Sequence, residues 1–76
     1  MEVVVYGRSE PPCKYCVDIV GLLDNKNIEY TYKDISEEKY FEEFLSYRLR
    51  TIPALFVDGD FKGGYTEAVN VFKEKV

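Results

Sequence analysis

Two cysteines, Cys13 and Cys16, stand three apart just behind the strand-like run Glu2-Val3-Val4-Val5-Tyr6, and they are the only cysteines in the 76-residue chain. A β-branched run followed at once by a C-x-x-C restricts the fold: the strand wants cover on both faces, and the cysteine pair wants a helix start. At such a start the N-terminal amides and the helix dipole favour an anion at Cys13. The i,i+3 spacing sets Cys16 on the same face one turn deeper. Thiol–disulfide exchange needs this pairing of one accessible thiolate with a second thiol close enough to resolve it.

Other uses of the pair fit less well. A zinc site takes four Cys or His ligands, and this chain has one cysteine pair and no histidine, so two carboxylates would have to complete it. A stapling disulfide across so short a loop constrains little of the unfolded ensemble. Two inert core cysteines do not suit Pro11-Pro12, which mark a corner from loop into helix. In this context the pair reads as a redox motif.

The length makes one domain, residues 1–76, burying about 60% of its unfolded surface. An apolar fraction of 46%, with seven Tyr and five Phe, offsets part of that deficit. Met1 is followed by a charged strand rather than by a basic region and a long apolar segment. No window approaches the roughly 20 apolar residues of a membrane helix. A net charge of −4 and a pI near 4.7 disfavour nucleic acid, so neither nucleic acid nor a membrane is expected as a partner. A reducing cytoplasm, in which the pair cycles between dithiol and disulfide, is the expected location.

Periodicity supplies the remaining elements. Cys16, Ile19, Val20 and Leu23 follow i, i+3, i+4, i+7 and predict one buried helical stripe, ended by Asn25 to Asn27. Ile28, Tyr30 and Tyr32 alternate with Glu29, Thr31 and Lys33, predicting a second strand. Ser36 is the expected N-cap of a second helix that presents Tyr40, Phe41, Phe44 and Leu45, with Glu37 and Glu38 in its first turn. Arg48 to Thr51 form a polar connector into Ile52-Pro53. Ala54 to Val57 read as strand, Asp58-Gly59 as a two-residue hairpin turn, and Asp60 to Lys62 as a short strand. Gly63-Gly64 break the chain, and Thr66 is the expected cap of a last helix using Ala68, Val69, Phe72 and Val76. The fold class is α/β: a mixed four-stranded sheet with three helices, in the order β-α-β-α-β-β-α. Its first crossover joins parallel strands and its hairpin adds an antiparallel pair.

These elements, together with Tyr6-Gly7-Arg8-Ser9, Cys13-Lys14-Tyr15-Cys16, Thr51-Ile52-Pro53 and Gly63-Gly64-Tyr65-Thr66-Glu67, resemble the thioredoxin fold. Within it the chain resembles a compact dithiol glutaredoxin over essentially its full length. The resemblance implies a glutathione-dependent oxidoreductase with no permanently bound cofactor or metal and with glutathione as co-substrate. Cys13 matches the nucleophile and Cys16 the resolving cysteine. Tyr15 matches an aromatic lining the glutathione cleft, and Pro53 a cis-proline facing the cysteines. By the same resemblance Thr51 and Ile52 offer backbone to the tripeptide, and Gly64 allows close approach. Tyr65, Thr66 and Glu67 then flank its γ-glutamyl end, and Arg8 meets its glycine carboxylate. A helix N-terminus suits that α-carboxylate and an acid suits the ammonium. Arg48 and Arg50 are alternatives for the glycine end.

The implied partners are disulfide-bonded or glutathionylated proteins, with ribonucleotide reductase a common recipient in the family, acting on a monomer. The chain departs from the family pattern in Lys14 between the cysteines, where proline is usual, in a longer loop at Ser9 to Pro12, and in Glu67, where Asp is usual. Lys14 beside Cys13 is expected to favour the thiolate. Two alternatives share the motif: a redoxin reduced by thioredoxin reductase, and a module holding an iron–sulfur cluster through Cys13 with glutathione.

Overall fold

The computed structural model describes residues 1–73. Strand β1 (Val3–Gly7) is interior, as its β-branched run requires, in a sheet of order β2-β1-β3-β4. It pairs in parallel with β2 (Thr31–Asp34), Val5 opposite Tyr32 and Gly7 opposite Asp34. It pairs antiparallel with β3 (Ala54–Val57), Val3 opposite Val57 and Tyr6 opposite Ala54. Strand β4 (Asp60–Gly63) closes the hairpin. In its turn Asp58 and Gly59 both take left-handed φ values, 52° and 85°, matching the twist of the flanking strands. Asp58 also fastens the turn to the start of the chain. Its N–H donates to the Glu2 carbonyl and its Oδ1 accepts the Glu2 N–H, each at 2.8 Å.

Alternation along the strands sorts two cores. Helix α1 (Lys14–Asn25) and helix α3 (Tyr65–Phe72) cover one face. There Ile19, Leu23, Ala68 and Phe72 pack on Val3, Val5, Leu55 and Val57. Helix α2 (Glu38–Ser46) covers the other, where Phe44 packs with Tyr6, Ala54 and Phe56. The α1 terminus is the expected one: Asn27 takes φ 56°, and the Ile28 N–H returns to the Leu23 carbonyl at 3.0 Å.

Four local expectations change. Ser36 does not cap α2; its N–H donates to the Asp34 carboxylate at 2.9 Å in an Asx-type turn, so the helix begins one residue later behind Glu37. Phe41 and Leu45 are 43% and 52% exposed, because α2 turns Phe44 inward and nothing further among the described residues covers that face. Thr66 lies inside the first turn of α3, whose N-cap is Gly64. The Gly64 N–H is held at 2.8 Å by the Glu67 carboxylate, which returns from the third helical position. Strand pairing in β2 starts at Thr31 rather than Ile28, although Ile28, Tyr30 and Tyr32 all pack on the first core. Val76 lies outside the described residues.

Candidate active site

Cys13 is the N-cap of α1, with extended backbone (φ −111°, ψ 121°). That geometry leaves its side chain over the open end of the helix, and its Sγ accepts the Cys16 N–H at 3.3 Å. Its carbonyl takes the Val17 N–H at 3.0 Å, so the first turn is already formed around the outer sulfur. Cys13 is half-buried, whereas Cys16 is 1% exposed. Burial pushes the Cys16 thiol up to about 11, and its hydrogen bond with Cys13 adds to the shift; the Arg8 backbone amide acts in the opposite sense. The arrangement is therefore asymmetric: an outer sulfur that accepts the Cys16 amide at the helix start and an inner sulfur kept as thiol by burial.

Beside this helix start lies a groove of about 180 Å³. One wall is Thr51, Ile52 and Pro53; the other is Gly64, Tyr65, Thr66 and Glu67, with Tyr15 at the helix side. The Ile52–Pro53 peptide is cis, as the resemblance implies. The two walls meet closely: a Cβ on Gly64 would stand 3.3 Å from the Pro53 carbonyl oxygen. At Gly63, with φ 121°, a side chain would collide with Glu67. Tyr15 and Tyr65 stack across the groove with centroids 6.0 Å apart. Eight residues singled out from the sequence are thus gathered around one cleft.

Arg8 is not gathered with them. The Ser9 to Pro12 loop folds back over its guanidinium, whose Nε donates to the Pro11 carbonyl at 3.0 Å. Arg8 lines a second cavity, of about 490 Å³, on the β2 side of α1. Arg48 and Arg50 are exposed and line neither cavity. The Lys14 ammonium pairs with Asp18 at 3.0 Å, one turn on, and sits 5.2 Å from the Tyr15 ring centroid.

Two features escape a linear reading. The Asp34 carboxylate, at the end of β2, accepts N–H groups from Ser9 at 3.4 Å and Ser36 at 2.9 Å. The Ser9 side chain first, and then the Ser36 amide, hold it below the usual carboxylate range, and the Ser9 N–H bond clasps the cysteine loop to β2. The second is Tyr32, which lies over Gly7. Its signal in the sequence is a glycine closing a β-branched strand one place before Arg8, with no turn to require it.

A sequence model of the glutaredoxin family matches residues 3–62. Glutaredoxin 1 of Escherichia coli K12 is 35% identical over an 85-residue alignment spanning all of this chain and 98% of that protein. The solved structure of reduced E. coli glutaredoxin superposes with a TM-score of 0.69 at 36% identity, covering 97% of this chain and 95% of that one. A buckwheat glutaredoxin–glutathione complex has the same fold, with a TM-score of 0.76 at 21% identity over 95% of this chain and 68% of that one. With a strand, a capped C-x-x-C helix and a cis-proline groove assembled in that order, the chain belongs to the glutaredoxin family.

Proposed function

We propose that the chain is a glutathione-dependent reductase of protein disulfides and of glutathione mixed disulfides. The observation that carries this reading is the asymmetric pair at the head of α1, beside a groove built from Ile52-Pro53 and Gly64 to Glu67. The Cys13 thiolate attacks the substrate disulfide, releasing one thiol and leaving a mixed disulfide. With a protein disulfide, Cys16 attacks the Cys13 sulfur, frees the second substrate thiol and closes the Cys13–Cys16 disulfide. Two glutathiones restore the dithiol. With a glutathionylated protein the intermediate is Cys13–glutathione, and a second glutathione resolves it without Cys16.

The groove supports the glutathione assignment by chemistry. The Ile52 backbone offers a strand-like edge, the α3 N-terminus offers amides to a carboxylate, and Glu67 offers an acid to an ammonium. That a buckwheat relative of the same fold is described in complex with glutathione is consistent with it. A reducing cytoplasm and a monomer follow from the same reading, and ribonucleotide reductase is one candidate recipient. Reduction of a glutathione mixed disulfide, coupled through glutathione reductase to NADPH loss, tests it. Wild type and Cys16→Ser turn over, and Cys13→Ser loses activity by at least about a thousandfold, the scale of a removed nucleophile. Turnover only with thioredoxin reductase, and none with glutathione, would replace this reading by the redoxin one.

A further inference from the structure

The dithiol chemistry leaves one problem unsolved. Cys16 must act as a thiolate, yet it is 1% exposed and the chain has no histidine to assist it. Tyr32 approaches it from β2. Tyr32 pairs with Val5, and its ring leans along β1 to cover Gly7. A Cβ at Gly7 would stand 2.8 Å from Tyr32 Cζ, with the hydroxyl oxygen closer still. Arg8, the next residue, lines the cavity of about 490 Å³, and its backbone amide lowers the Cys16 thiol against the effect of burial. The phenol and the thiol line the same cavity, and each shifts the titration of the other. Gly7 is therefore the opening that admits a β2 side chain into the cavity lined by the α1 sulfur.

We propose that the Tyr32 hydroxyl is a positioning group for the resolving cysteine, donating a hydrogen bond to the Cys16 sulfur as it becomes the attacking thiolate. The inference rests on the dithiol reading above, not on the identity of the reductant. The groups acting on Cys16 are the Cys13 thiol, the Arg8 amide and Tyr32; those acting on Tyr32 are Cys16, Asp34 and Cys13. Burial and the neighbouring sulfur hold the phenol above its ordinary range, so it keeps its proton and can donate it in a hydrogen bond. In the step itself Cys16 loses its proton to solvent and its thiolate attacks Cys13 Sγ. The bond from Cys13 to the substrate sulfur breaks as the Cys13–Cys16 bond forms. The departing thiolate is protonated, and the dithiol has given two electrons to the substrate disulfide.

The resolving step can be read in isolation. Reduced protein is treated with one equivalent of an aromatic disulfide reagent to load thionitrobenzoate on Cys13, and its release by Cys16 is followed against pH. Removing a hydrogen bond to a charged group lowers the thiolate fraction by about one to two decades, while nucleophilicity recovers almost half of that exponent, so Tyr32→Phe is expected to release about three- to tenfold more slowly at pH 7. The deficit should hold at lower pH and narrow only as pH passes the wild-type Cys16 value of about 11, because the whole profile moves to higher pH. The Cys16 Cβ carbon resonance should titrate at higher pH in the same variant. Equal rates and profiles, or slowing by one factor at every pH, would overturn the proposal. If Tyr32→Phe does not fold, fluorotyrosine labelling of the wild-type chain makes a stronger donor and should move the Cys16 titration down; an unmoved titration overturns the proposal equally. Because no glutathione enters this assay, a failure of glutathione turnover does not alter its outcome.

Discussion

The two faces of the sheet are built to different standards. Under α1 and α3, Val5, Ile19, Leu23, Leu55, Ala68 and Phe72 have no solvent exposure. Under α2 the buried core among the described residues is four side chains, and Phe41, Leu45, Tyr47 and Phe61 remain 43% to 54% exposed. Both cysteines belong to the α1 side, one capping the helix and the other in its buried stripe. The redox pair is therefore mounted on the rigid layer, where a displacement of about half an ångström has the least room to occur. The α2 side holds the sheet's second face with polar fastenings as well as packing: the Tyr6 hydroxyl donates to Glu43 at 2.7 Å, and Lys33 pairs with the same carboxylate at 3.1 Å.

Matched truncations test this difference. Phe72→Ala should cost about 3–5 kcal/mol, the range for a fully packed phenylalanine, and Phe44→Ala only about 2–3 kcal/mol, since its looser surroundings can collapse. Denaturant midpoints at constant slope decide it, and equal costs would erase the distinction between the faces.

The next effect concerns Cys16 itself. Its folded value is raised to about 11, so the reduced protein keeps this contribution in full below the unfolded thiol's pKa and loses it as pH rises through the folded one. Between about pH 8.5 and 11 the loss should be about 1–3 kcal/mol, and it should vanish in Cys16→Ala. An identical alkaline decline in that variant would assign it to the tyrosines instead. Smallest is Tyr6→Phe, which removes the hydroxyl bond to Glu43 on the thinner face and should cost about 1 kcal/mol in the same unfolding assay. A cost near that of Phe44→Ala would mean that polar fastening, not packing, holds α2.

Much of this was legible in the chain because the signals were local. The seven elements, their order and the parallel first crossover follow from strand periods, the helical stripe at Cys16 to Leu23 and the Asp58-Gly59 turn. The groove residues followed from the family resemblance, which is carried by short motifs whose members are neighbours in sequence. What was not legible depends on contacts between distant segments. Ser36 looked like a cap until Asp34 took its amide. Phe41 and Leu45 looked like core because a helical stripe does not say how wide its partner is. Arg8 was expected at the glycine end of the groove, and the Ser9 to Pro12 loop instead places it on the other cavity, bonded to the Pro11 carbonyl. Tyr32 read as one more alternating strand residue; only the register of β2 against β1 brings it over Gly7 and into the Cys16 cavity.

Glu67 already has an engagement. Its carboxylate holds the Gly64 N–H at 2.8 Å, and its methylenes occupy the space a side chain at Gly63 would need. An incoming ammonium therefore meets an exchange rather than a vacancy: the acid must share or release its own loop before it can serve a guest. Such swaps of one hydrogen bond for another carry little net gain. Discrimination among ligands at this end of the groove then falls to whichever partner can satisfy Gly64 and Glu67 together. A shorter acid at position 67 would leave the loop less occupied with itself and the guest less contested.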